Sequence, residues 1–123
     1  MEKIRINKDL WPLVESVVII GTESEANVPN FQTCSWHSRV NQNPPQWGIT
    51  IDKRRLSLDY IKANNSFSIN YPTKKIVKQT DYCGIYSGRK INKSTLFTVF
   101  RGEVPGAPMI EECICLLYTS RRG

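Results

Sequence analysis

Apolar residues recur at every second position through several short stretches of this chain, and that period predicts strands. Val14 to Thr22, rich in Val and Ile and ending near Gly21, reads as a buried strand followed by a polar turn from Ser24 to Pro29. Phe31 to Val40 predicts a second strand in which Thr33, Ser35 and Trp36 interrupt the apolar positions, so one face carries polar groups to a site. Pro44 and Pro45 stop it, and Gln46 to Ile51 makes a third strand with Trp47, Ile49 and Ile51 on one side. Ser57 predicts the cap of a helix from Leu58 to Ala63, closed by Asn64 and Asn65. Ser66 to Tyr71 alternates as a fourth strand, Thr73 to Tyr82 reads as a helix capped by Thr73, and Ser94 caps a short helix carrying Leu96, Phe97 and Phe100 and ended by Gly102. After an irregular Pro105 to Pro108, Met109 to Tyr118 is the last strand. Strands joined mostly by short turns, with helices set between them, predict a small β-barrel of mixed α+β character.

Composition narrows the class. The 123 residues, 40% hydrophobic and 23% charged, suit one globular domain. The longest apolar run, Val17 to Ile20, is far short of the roughly 20 residues that cross a bilayer. Met1 to Asn7 alternates charge and Ile in a way that does not read as a signal peptide, so the expected location is the cytoplasm. Cys34, Cys83, Cys113 and Cys115 lack the CxxC spacing of a zinc site and read as reduced thiols, so no metal is expected. A net charge of +6, to which Arg121 and Arg122 contribute, points to an anionic partner without naming one.

Two segments carry candidate chemistry. Cys83 to Lys93 packs two glycines, two hydroxyls and three cations into a stretch too short to serve a core. It reads as a loop holding an anion, with Ser87, Arg89 and Lys93 as donors, and a solvated turn is the competing description. Lys53, Arg54 and Arg55 stand directly before Ser57 at a helix entrance, where free N–H groups and the helix dipole favour phosphate. The same run also describes a solvated surface. His37, the single histidine, alternates away from Trp36 and reads as structural or exposed.

Taken together, Asn30 to Trp36, Asn43 to Pro45, Lys53 to Ser57, Asp81 to Gly84 and Ser87 to Arg89 resemble the flavin reductase-like family with its FMN-binding split barrel, close to flavoredoxins, from about Trp11 to Cys113. The resemblance implies FMN bound without a covalent link near the contact of a homodimer, reduced by NAD(P)H and passing electrons to flavin, ferric complexes or a protein acceptor. On this sequence it implies that Thr33, Cys34, Ser35 and Trp36 lie along the isoalloxazine and ribityl chain, with Asn30 also at the cofactor. Lys53, Arg55 and Ser57 would hold the phosphate, and Ser87 and Lys93 would approach the ring. Lys93 is the leading catalytic candidate, because a cation near the ring stabilises the charge that reduction places there.

After Cys113 the family's pattern continues with a proline and further strands, whereas this chain reads Ile114 to Gly123. The expectation is a partial FMN-binding domain over 1–113, a divergent tail over 114–123, and a barrel incomplete at its C-terminal side with an apolar edge left open. Two other functions compete with the oxidoreductase. One is an electron carrier that holds FMN but is reduced by another protein. The other is a barrel binding single-stranded nucleic acid through Trp36, Trp47, Tyr60 and the Lys53 to Arg55 cluster, which requires Trp47 to be exposed.

Overall fold

The computed structural model describes residues 1–9 and 14–120; Trp11 and the end of the tail, 121–123, lie outside them. Its centre is strand β1, Val18–Glu23, in which every residue is buried. A strand buried on both faces needs apolar side chains at consecutive positions, which is why Val18, Ile19 and Ile20 run together. β1 lies between β2 (Pro29–Cys34) and β5 (Ser66–Tyr71), and β8 (Cys115–Ser120) pairs antiparallel along the whole of β5. The order is β2-β1-β5-β8.

Each face of this sheet has its own core. Val18, Ile20, Cys34, Phe67 and Ile69 pack with Ile61 of helix α1 (Leu56–Asn64), and with Trp47 and Ile49 of the hairpin β3 (His37–Asn41) and β4 (Gln46–Ile49). Trp47 also stacks on His37 and donates its indole N–H to His37 Nδ1 (3.3 Å). On the opposite face Ile19 and Phe31 meet Cys83 of helix α2 (Val77–Ile85), together with Ile76, Phe97 and Ile110. This second side is covered by a small ribbon, β6 (Val99–Arg101) paired with β7 (Pro108–Ile110).

Polar side chains fasten the ribbon to the sheet. Asn70 donates to Ile19 O (3.0 Å) and accepts from Ile110 N–H (3.0 Å), while the Ser68 hydroxyl donates to Pro108 O. Gly21 makes the close approach possible: a Cβ there would stand 2.2 Å from Pro108 O. Buried Glu23 accepts from Arg101 Nε (2.8 Å), tying β1 to β6.

Several predicted boundaries shift. The stretch Phe31 to Val40 is two strands in different sheets, because the chain turns at Ser35, whose carbonyl accepts from His37 N–H (3.2 Å). Helix α1 starts at Leu56 with Arg55 as its cap residue, so Ser57 lies in the first turn and makes no cap. Asn65 ends the helix in the left-handed conformation, φ 54°, as expected of that asparagine. Thr73 also makes no side-chain cap bond; a 3-10 turn over Lys74–Ile76 precedes α2, which runs on through Gly84 to Ile85, so the glycine-bearing loop proper begins at Tyr86. No helix follows Ser94. Thr98 N–H donates to the Glu112 carboxylate (2.9 Å), Phe97 drops into the core, and the chain leaves as β6. The predicted last strand is likewise two: Cys113 N–H turns back to Ile110 O (3.3 Å) between β7 and β8, and residues set apart as a tail supply β8.

Candidate functional site at the edge of the main sheet

β2 is an outer strand in the described order, and beside it the start of α1 and the loop after α2 converge. Between them lies a cleft lined by Asn30 and Gln32 of β2, Arg55, Leu56 and Ser57 at the helix entrance, and Tyr86, Ser87, Gly88 and Lys93 of the loop. Five residues expected at the cofactor therefore meet: Asn30, Arg55, Ser57, Ser87 and Lys93.

The convergence is built by close packing and ion pairing. A Cβ at Gly88 would stand 2.1 Å from Asn30 Oδ1, so only glycine lets the loop lie this close to β2. Arg89, expected as an anion donor, instead pairs with Asp59 of α1 and donates to Arg54 O (3.4 Å), strapping the loop to the helix. Arg54 is turned to Asp52, whose carboxyl its guanidinium holds well below the usual carboxylate range. Of the three consecutive cations, Arg55 alone lines the cleft; Lys53 is exposed.

Lys93 is buried, only 3% exposed, and its ammonium donates to Phe31 O (3.1 Å) and Cys83 O (3.0 Å). It thus joins β2 to α2 while lining the cleft. Burial is the main cause that lowers its pKa, and the Arg55 charge acts in the same direction. Burial likewise pushes the Cys83 thiol up to about 11, so this cysteine stays protonated at neutral pH. Lys93 lies with Arg55 and Ser57, the residues assigned to phosphate, rather than with Cys34 to Trp36.

The four residues expected along the ring are not gathered in the cleft. Consecutive strand residues face opposite ways, so the Thr33 hydroxyl donates to Thr80 O on the α2 side, while the Cys34 thiol packs in the first core and donates to Trp36 O (3.4 Å). Ser35 is half-buried at the turn and Trp36 is 54% exposed. Gln32, Leu56 and Tyr86 line the cleft beyond the residues expected there. The period of two that places Asn30 on the cleft side places Gln32 there too.

This arrangement defines an α+β split barrel with a cation- and hydroxyl-lined cleft at a sheet edge. Residues 13–119 match the flavin reductase like domain, and the chain belongs to that family. It is similar to the flavoredoxin of Methanosarcina acetivorans, 42% identical with a TM-score of 0.89 over 98% of this chain and 64% of that one. The flavoredoxin of Desulfovibrio vulgaris (Miyazaki F) is 26% identical, with a TM-score of 0.78 over 89% of this chain and 62% of its own. The uncharacterized protein YddH of Escherichia coli K12 is 29% identical over 109 residues, 87% of this chain and 57% of YddH. The chain thus spans somewhat under two thirds of the length of these relatives. The resemblance and the split-barrel fold expected from the sequence hold.

Proposed function

We propose that this chain is the FMN-binding part of a flavin reductase-type oxidoreductase, reduced by NAD(P)H and passing electrons to a flavin, a ferric complex or a protein acceptor. The observation that carries the reading is the cleft itself. Arg55, Ser57, Ser87 and buried Lys93 converge at the entrance of a helix that has no side-chain cap. Such a set suits a phosphate monoester: a guanidinium, hydroxyl donors, first-turn N–H groups, and a buried ammonium whose described contacts are two carbonyls.

In this reading Arg55, Ser57 and Lys93 hold the phosphate of FMN, with Lys53 adding charge from the rim. Ser87 holds the cofactor from the loop side. Ser35 and Trp36, at the turn that ends β2, are the side chains that the ring would reach along the strand, and Thr33 and Cys34 serve there through their backbone. Buried Lys93 adds its positive charge to the site. Bound FMN supplies the group that accepts hydride and releases electrons.

The similarity to two flavoredoxins favours a second reading, an electron carrier that takes its electrons from another protein. Anaerobic addition of NADH or NADPH to the FMN-loaded chain separates the two. Bleaching of the flavin absorption by either nucleotide at a rate that rises with its concentration supports the oxidoreductase. A spectrum unchanged by both nucleotides, yet bleached by dithionite, supports the carrier.

A further inference from the structure

Asn30 lines the cleft, yet both hydrogens of its amide are already engaged. Its Nδ2 donates to Ser57 Oγ (3.0 Å) and to Thr22 Oγ1 (3.4 Å), and all three residues are buried. The direction of this chain is fixed from its far end. The Thr22 hydroxyl donates its one hydrogen to the Asn30 carbonyl oxygen (3.3 Å), so Thr22 Oγ1 can only accept from the asparagine side chain. The NH2 end of Asn30 must therefore face Thr22 and Ser57, which leaves Oδ1 against Gly88, where no Cβ fits.

Ser57 accepts, and its own hydrogen is left to donate; among the described residues it donates to none. We propose that Asn30, set by Thr22, is a positioning residue that holds the Ser57 hydroxyl as a donor toward a phosphate ester in the cleft. Asn30 is then not a ligand-contacting donor. The inference rests on the cleft holding the phosphate of FMN. Its consequence is discrimination: a hydroxyl free to turn serves any ligand, whereas one whose oxygen accepts from Asn30 has its hydrogen directed elsewhere and favours an acceptor such as phosphate.

The test measures dissociation constants of FMN and riboflavin for the full chain, because their ratio cancels structural losses common to both ligands. Thr22 does not line the cleft, so Thr22→Val removes the fixing hydroxyl at near-constant volume without touching the site. Riboflavin affinity should change little, while the preference for FMN falls about fivefold, the worth of one oriented hydrogen bond. Thr22→Ser should restore the preference. Adding Ser57→Ala to Thr22→Val should lose no more than Ser57→Ala alone, since both act through one hydroxyl. If Thr22→Val does not fold, Asn30→Ala with and without Ser57→Ala gives the same comparison. A preference that survives Thr22→Val, or losses that simply add, overturns the relay and leaves the phosphate site standing. A wild-type chain that binds both ligands equally overturns the phosphate site and the relay with it.

Discussion

Arg54 and Arg55 are identical in type and adjacent in sequence, yet one is paired with Asp52 at the surface and the other lines the cleft. The division predicts their effects. Arg55→Ala should weaken FMN binding about tenfold or more and leave riboflavin nearly unchanged, because it removes a charge-assisted contact. Lys53→Ala, at an exposed position, should cost no more than about twofold. Titration of both variants with FMN checks this, and equal losses would remove Arg55's special role. For Lys93 the expected signature is pH dependence. Burial lowers its pKa, whereas an anion in the cleft favours the ammonium, so FMN affinity should be highest below the folded-state pKa and fall as pH rises through it. That fall should come before the ordinary lysine value of about 10.4. The unliganded chain should gain stability over the same window, since the unfolded lysine holds its proton to higher pH. FMN affinity that stays flat through this range, measured beside riboflavin, would show that Lys93 does not face the phosphate. At this scale the sequence identified the residue types of the site better than their roles. Arg89 looked like an anion donor and is a strap to Asp59, and Asn30 looked like a ligand, yet both its amide hydrogens go to Thr22 and Ser57.

Elements were legible where one period ran uninterrupted, and illegible where a side chain captured a backbone group from a distant segment. The alternation of Ser66 to Tyr71 gave β5 to the residue, and Asn65 gave the end of α1. Thr98 and Glu112 are 14 residues apart, so no local pattern could announce that their hydrogen bond replaces a helix with β6. The turn at Ser35 is similarly hidden, because Phe31 to Val40 remains strand-like on both sides of it. Gly21 shows how a central strand accommodates the ribbon that crosses it. Gly21→Ala would force a methyl group against Pro108 O and the Ser68 hydroxyl, an overpacking expected to cost about 1–3 kcal/mol. Urea unfolding should show a lower midpoint with an unchanged slope. An unaltered midpoint would mean that β7 moves aside freely, contrary to the bonds that Ser68 and Asn70 make to it.

At the scale of the molecule, both faces of the main sheet are covered within the chain, while β2 and β8 remain its outer strands among the described residues. Ile114, Leu117 and Trp36 are exposed, at 77%, 42% and 54%. We expect a second copy to cover some of these exposed apolar side chains, giving a dimer by light scattering at micromolar concentration; a monomer that retains FMN would count against it. No helix among the described residues is long and apolar enough to cross a membrane. The sequence made the barrel legible because its strands are short and regularly bounded. It left the two-core arrangement hidden, since which helix covers which face depends on contacts such as Phe31 with Phe97, 66 positions apart. The central claim is that the cleft between β2, α1 and the loop after α2 recognises the phosphate of FMN. Calorimetric titration of the full chain with FMN and with riboflavin tests it most directly. FMN should bind at least about tenfold tighter, with the difference shrinking as salt is raised; equal affinity for the two, or a preference for riboflavin, would rule out phosphate recognition by the cleft.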